Sequence, residues 1–99
     1  MQVCENMQKV RDRLDELGIK WTDKSDAYIT RTHLWIKGQR WSIVNGLGTY
    51  GGISIRRMPD GSYQHHNKGL LEVQIGTQEE PIGHLAAYDV LTMIYRELF

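Results

Sequence analysis

Ninety-nine residues make one domain, residues 1–99, with a modest core and little room for a deep catalytic cavity. Twelve Lys and Arg balance twelve Asp and Glu, so there is no overall basic footprint for nucleic acid, and no apolar run approaches the roughly 20 residues that cross a bilayer. Cys4 is the only cysteine, which excludes an intramolecular disulfide and a multi-cysteine zinc site. It reads as a small apolar residue at the start of a helix. Met1-Gln2-Val3-Cys4-Glu5-Asn6 lacks the basic-then-apolar layout of a signal peptide, so a cytoplasmic location is expected.

Val3, Met7, Val10, Leu14 and Leu17 recur at spacings of four and three, one stripe of a helix over about residues 3–17. The charged and polar residues between them, Arg11 included, read as its solvated face, and Gly18 as its stop. Ile19-Lys20-Trp21 alternates as a short strand, and Asp23-Lys24-Ser25-Asp26 reads as a polar turn. Residues 28–36 and 40–44, separated by Lys37-Gly38-Gln39, form the clearest hairpin. A turn at Lys37-Gly38 pairs Leu34 with Trp41 and Thr32 with Ile43; a turn at Gly38-Gln39 slips the pairing by two. In either register Leu34, Ile36, Trp41 and Ile43 share the core face, while His33, Trp35, Arg40 and Ser42 share the other.

Residues 45–52 are a glycine-dense loop, and Ile53-Ser54-Ile55 a short strand. Met58-Pro59-Asp60-Gly61-Ser62 is a turn by composition, and residues 63–69 are polar and read as loop. Residues 70–75 alternate as a strand with Leu71, Val73 and Ile75 inward. Residues 76–83 break the pattern, with Gln78-Glu79-Glu80 as solvated surface. Residues 85–99 read as a second helix, with Leu91, Ile94, Tyr95 and Leu98 on one stripe and Ala87 one turn earlier. The expected fold is α+β: an N-terminal helix, an antiparallel sheet of three to five strands and a C-terminal helix, both helices on one sheet face.

The glycine loop permits close backbone approach by a ligand. Gly46, Gly48 and Gly51 even have the G-x-G-x-x-G spacing, but a strand follows where a phosphate-binding helix belongs. A sheet corner needing positive φ is the competing reading, with Tyr50 at the tip as a candidate contact residue. His65-His66 lies in an extended stretch where neighbouring side chains point apart, so no metal and no cofactor is expected. Arg56, Arg57, Tyr63 and Lys68 interleave basic and aromatic residues, as single-stranded nucleic acid requires. Trp35 beside Arg40 is either an interface anchor or a cation–π pair that supports the sheet. No G-x-S-x-G elbow and no H-E-x-x-H is present, and the carboxylates are scattered, so the chain does not read as an enzyme.

Residues 40–52, followed by Gly69-Leu70-Leu71-Glu72, and the segment Pro81-Ile82-Gly83-His84-Leu85-Ala86-Ala87-Tyr88-Asp89-Val90 carry a resemblance. They resemble small uncharacterised proteins encoded by phages and prophages of Gram-positive bacteria, over about half of the chain. One departure is Ala86, where the resemblance implies a threonine N-cap worth about 1 kcal/mol. The resemblance implies a phage accessory protein that binds and blocks a host protein, with defence nucleases such as CRISPR effectors as targets.

The expected function is therefore non-covalent binding of a host protein through His33, Trp35, Arg40 and Tyr50. The alternatives are single-stranded nucleic-acid binding through Arg56, Arg57, Tyr63 and Lys68, and small-ligand or nucleotide binding at loop 45–52.

Overall fold

The computed structural model describes residues 2–78 and 80–99; Glu79, part of the expected acidic surface stretch, lies outside them. The first helix, α1, is Glu5–Glu16, inside the range its periodicity predicts. It ends as the sequence implies. Gly18 takes φ 70°, its N–H reaches the Asp15 carbonyl and the Ile19 N–H reaches that of Leu14, the paired bonds of a Schellman cap.

Among the described residues seven strands follow: β1 (Thr22–Asp23), β2 (Ile29–Ile36), β3 (Gln39–Gly46), β4 (Ile53–Arg57), β5 (Tyr63–Asn67), β6 (Leu71–Ile75) and β7 (Ile82–Leu85). The second helix, α2 (Ala87–Leu98), closes the fold. The order in the main sheet is β1-β2-β3-β6-β7, with every neighbour antiparallel. β4 and β5 form a separate two-stranded ribbon inserted between β3 and β6.

The β2–β3 hairpin turns at Lys37-Gly38, with Leu34 opposite Trp41 and Thr32 opposite Ile43. Lys37 and Gly38 have φ of 50° and 80°. Positive φ at both central residues is the tight-turn geometry whose twist matches that of the flanking strands, and this selects one register of the two considered.

Both helices lie on one face of the main sheet. Met7, Val10 and Leu14 of α1 and Ala87, Val90 and Ile94 of α2 share one core with Leu34, Ile36, Trp41, Ile43, Leu71 and Val73. Fully burying each larger apolar side chain contributes roughly 1.5–3 kcal/mol, so this layer is the main source of stability.

Several expectations change. The strand near residue 21 is at Thr22–Asp23, because the partners across from it on β2 are His33 and Thr32. Arg11 leaves the solvated face of α1 and is buried. Its Nε donates to Thr32 Oγ1 at 2.8 Å, and its Nη2 donates to the Arg31 carbonyl at 3.2 Å and to Asp23 Oδ1 at 3.3 Å. The guanidinium also lies 4.6 Å from the centre of the Trp21 ring. It thereby ties the short edge strand β1 to α1.

Residues 63–67, read as loop, are strand β5. Residues 82–85, read as a break running into the helix, are the edge strand β7. The helix consequently starts at Ala87, and its buried stripe is Ala87, Val90 and Ile94, with Leu98 exposed.

The start of α2 shows how it manages without a side-chain cap at Ala86. Asp89 Oδ2 accepts from the Ala86 N–H at 2.9 Å, and Asn6 Oδ1, from α1, accepts from the Ala87 N–H at 2.9 Å. The other end of the Asn6 amide donates to the Gly69 carbonyl at 2.8 Å. One side chain thus joins α1, the loop entering β6 and the start of α2.

Candidate functional site

With both helices on one side, no described helix covers the opposite face of the main sheet. Its residues follow from the register. Trp35 stands opposite Arg40. His33, Ser42 and Gln74 form the next row across three strands, and Arg31, Val44 and Glu72 the row after. Trp35 is 68% exposed. It borders a shallow concavity of about 380 Å³ with Gly38, Gln39, Arg40, Gly76 and Thr77. Among the described residues, the guanidinium stacked on an indole is that of Arg11, over Trp21.

His33 is half-buried between these rows, with its Nε2 3.2 Å from Ser42 Oγ. Burial holds its pKa below the usual histidine value, and the nearby charges of Arg40, Arg31 and Lys24 push the same way. Those groups make this end of the face cationic, so the imidazole favours its neutral form.

A second concavity, about 300 Å³, lies farther along the same face. Arg31, Ser42, Val44, Leu47, Thr49 and Glu72 line part of it, so strand residues and the glycine loop meet there. Arg31, Glu72 and Gln74 were not singled out from the sequence. Their signal was simple alternation with the core residues of β2 and β6.

Tyr50 is 58% exposed but does not join the Trp35–Arg40 cluster. It follows the far end of β3, and six residue steps from Arg40 to Gly46 already span about 20 Å. Its ring instead stacks on His84, with ring centres 6.3 Å apart.

The glycine loop is folded against its neighbours. The Leu70 N–H donates to the Gly51 carbonyl, that of Lys68 to Gly52 and that of His84 to Tyr50. A Cβ on Gly51 would come within 2.7 Å of Leu70 Cβ, at a φ of 90°. Here glycine serves close packing between chain segments at a sheet corner.

The residues expected to form a basic loop belong to the β4–β5 ribbon. Ser54 faces His66, Ile55 faces His65, Arg56 faces Gln64 and Arg57 faces Tyr63. Since side chains alternate, Arg56 shares a face with Ser54, Gln64 and His66, while Arg57 and Tyr63 share the other with Ile55 and His65. Lys68 lies beyond the end of β5. The expected set of Arg56, Arg57, Tyr63 and Lys68 is therefore divided between two faces and the ribbon root. The signal for a strand pair was present in Pro59-Asp60-Gly61 at its centre. Ile53-Ser54-Ile55 already read as its first strand; what hid the second was the polarity of Gln64-His65-His66-Asn67.

The carboxylates with lowered pKa accept hydrogen bonds from residues two or three places further along the chain. Asp23 accepts from Ser25, Asp26 from the backbone N–H groups of Tyr28 and Ile29, and Asp60 from Ser62. Among the described residues no group of three or more His, Cys, Asp or Glu is placed to hold a metal ion. No described helix is long and apolar enough to cross a membrane. No protein-family model, no curated protein and no solved structure matches the chain.

Proposed function

We propose that this chain is a binding protein that contacts a protein partner through the helix-free face of its main sheet. The observation that carries the reading is Trp35, 68% exposed on that face and directly opposite Arg40. Tryptophan and arginine are the side chains most enriched among residues that dominate interface energies. An exposed indole beside a shallow concavity has large apolar area to bury on contact. His33 sits in the next row and contributes a neutral, hydrogen-bonding edge. Tyr50, at the far end of the face, is a peripheral contact at most.

The resemblance to small uncharacterised phage- and prophage-encoded proteins makes a host protein the expected partner, with a defence nuclease among those to try and inhibition as the consequence of binding.

The test is an affinity capture from nuclease-treated bacterial lysate, run in parallel with the wild type, Trp35→Ala/Arg40→Ala and a ribbon variant, Arg57→Gln/Lys68→Gln. The reading expects a stoichiometric protein retained by the wild type and the ribbon variant and lost with the Trp35/Arg40 variant. Capture that is indifferent to Trp35 and Arg40 rejects this surface.

A further inference from the structure

The β4–β5 ribbon has features that the sheet-face reading does not use. All of β5 is exposed and β4 nearly so, so neither face of the ribbon supports the core. The molecule measures 52 × 28 × 22 Å, and its radius of gyration of 14.3 Å exceeds the roughly 13 Å of a compact 100-residue domain. An isolated two-stranded ribbon is marginal in water, yet this one is fixed at both ends.

At its tip, Pro59-Asp60-Gly61 makes a tight turn. The Gly61 N–H reaches the Met58 carbonyl at 3.0 Å, the Met58 N–H reaches that of Ser62 at 2.8 Å, and Gly61 has φ 86°. At its root, buried Asn45 of β3 and Asn67 of β5 exchange reciprocal amide bonds of 2.9 and 3.0 Å. Asn45 Nδ2 also donates to the Leu70 carbonyl at 2.9 Å. The arm is thus held in a defined direction.

Its charge is one-sided. Residues 53–68 carry Arg56, Arg57 and Lys68 against Asp60 alone, in a chain whose total is zero. Among the described residues none of the three cations has a carboxylate within 4.0 Å, and the carboxylate of Asp60 is taken up by Ser62. One face holds Ser54, Arg56, Gln64 and His66, all hydrogen-bonding side chains with no acid among them.

We propose that the ribbon is a nucleic-acid-binding arm whose Arg56–Gln64 face enters the major groove of a DNA duplex. The major groove, about 12 Å wide and 8.5 Å deep, admits a two-stranded ribbon. Four residue steps of strand, about 14 Å, exceed that depth. Arginine and glutamine are the side chains that pair in bidentate fashion with guanine and adenine edges there, and here they stand opposite each other. Arg57, beside the turn, and Lys68, at the root, are the cations left for the phosphate walls. A single-strand site needs successive aromatic platforms on one face. Tyr63 is the only tyrosine, tryptophan or phenylalanine in the ribbon segment, and it lies on the face away from Arg56. The duplex is therefore the favoured ligand.

The experiment measures fluorescence anisotropy of the full chain with a labelled mixed-sequence duplex of about 20 bp, and with one of its strands alone, across a salt series. Two cations on phosphates, Arg57 and Lys68, imply a log–log salt slope near −1.8, or about a 12-fold loss of affinity between roughly 50 and 200 mM salt. Arg57→Gln/Lys68→Gln brings the slope close to zero, while Trp35→Ala leaves it unchanged. If circular dichroism shows that the double variant is unfolded, Lys68→Gln alone, outside both strands, carries the test with a slope change of about 1. Absence of duplex binding at the lowest salt overturns the proposal. So does equal or tighter binding of the single strand, or a slope that the ribbon substitutions do not move. A protein partner that depends on the ribbon, without duplex affinity, overturns it as well.

Discussion

Asn6→Ala tests whether the start of α2 is capped from α1. The substitution removes two bonds, from Asn6 Nδ2 to the Gly69 carbonyl at 2.8 Å and from the Ala87 N–H to Asn6 Oδ1 at 2.9 Å. Loss of a helix-capping acceptor costs about 1 kcal/mol, and loss of a second part-buried hydrogen bond about 1 kcal/mol more. The expected total is therefore about 2 kcal/mol, or a fall in Tm of roughly 8–16 °C for a domain of this size. Ala86→Thr acts in the opposite direction. A side-chain oxygen there can accept from the N–H of Tyr88 or Asp89, neither of which Asn6 reaches, so a gain of about 1 kcal/mol is expected in either background. Urea unfolding followed by far-ultraviolet circular dichroism measures both, with the m-value held constant as the check on two-state behaviour. A loss under about 0.5 kcal/mol for Asn6→Ala would refute the reasoning, because surface substitutions that break nothing already fall in that range.

Arg11→Ala should destabilise by about 2–3 kcal/mol, and Arg11→Met by less, because methionine keeps the packing against Trp21 while both lose the bond to Thr32; equal losses in urea unfolding would show that packing is irrelevant. Gly51→Ala should cost about 2 kcal/mol or more, from the 2.7 Å approach to Leu70 and the positive φ; an unchanged Tm would contradict the packed corner. Trp35→Ala, by contrast, should change stability by less than about 0.5 kcal/mol, since the indole is mostly solvated; a larger loss would make Trp35 a structural residue. On acidification, His33, whose folded pKa is lowered, contributes stability that is present above its unfolded value near 6.5 and is lost as pH falls through its folded value. The lowered carboxylates of Asp23, Asp26 and Asp60 act the same way below about pH 4. Tm should therefore fall in two stages, the upper one absent in His33→Gln, and a Tm that rises between about pH 7 and 5 would contradict the assignment.

Where one pattern dominates, sequence and structure agree. The apolar stripe of α1, its stop at Gly18, the β2–β3 hairpin and the inward residues of β6 all rest on local periodicity set against a single buried face. The α+β class follows, since amphipathic helices and a one-sided sheet must cover each other. The exposed Trp35–Arg40 pair was legible for the same reason, because opposite-face alternation is fixed once the core face is known.

Tertiary structure decided the rest. β4 was legible in the alternation of Ile53-Ser54-Ile55, but β5 carries no buried face and no hydrophobic period announces it; the ribbon the two form takes its order from the turn at the tip and from Asn45 at the root, 22 residues from its partner Asn67. β7 is specified by pairing with β6 across a bulge rather than by its own residues. Arg11 sits among charged neighbours in the helix and is buried only because Thr32, Asp23 and Trp21 arrive from elsewhere in the chain. Tyr50 and Trp35 looked like neighbours on one surface, but the length of β3 holds them apart. Local pattern fixes which side of an element faces the core; the distances between surface residues are set by how those elements are stacked, and no local pattern contains them.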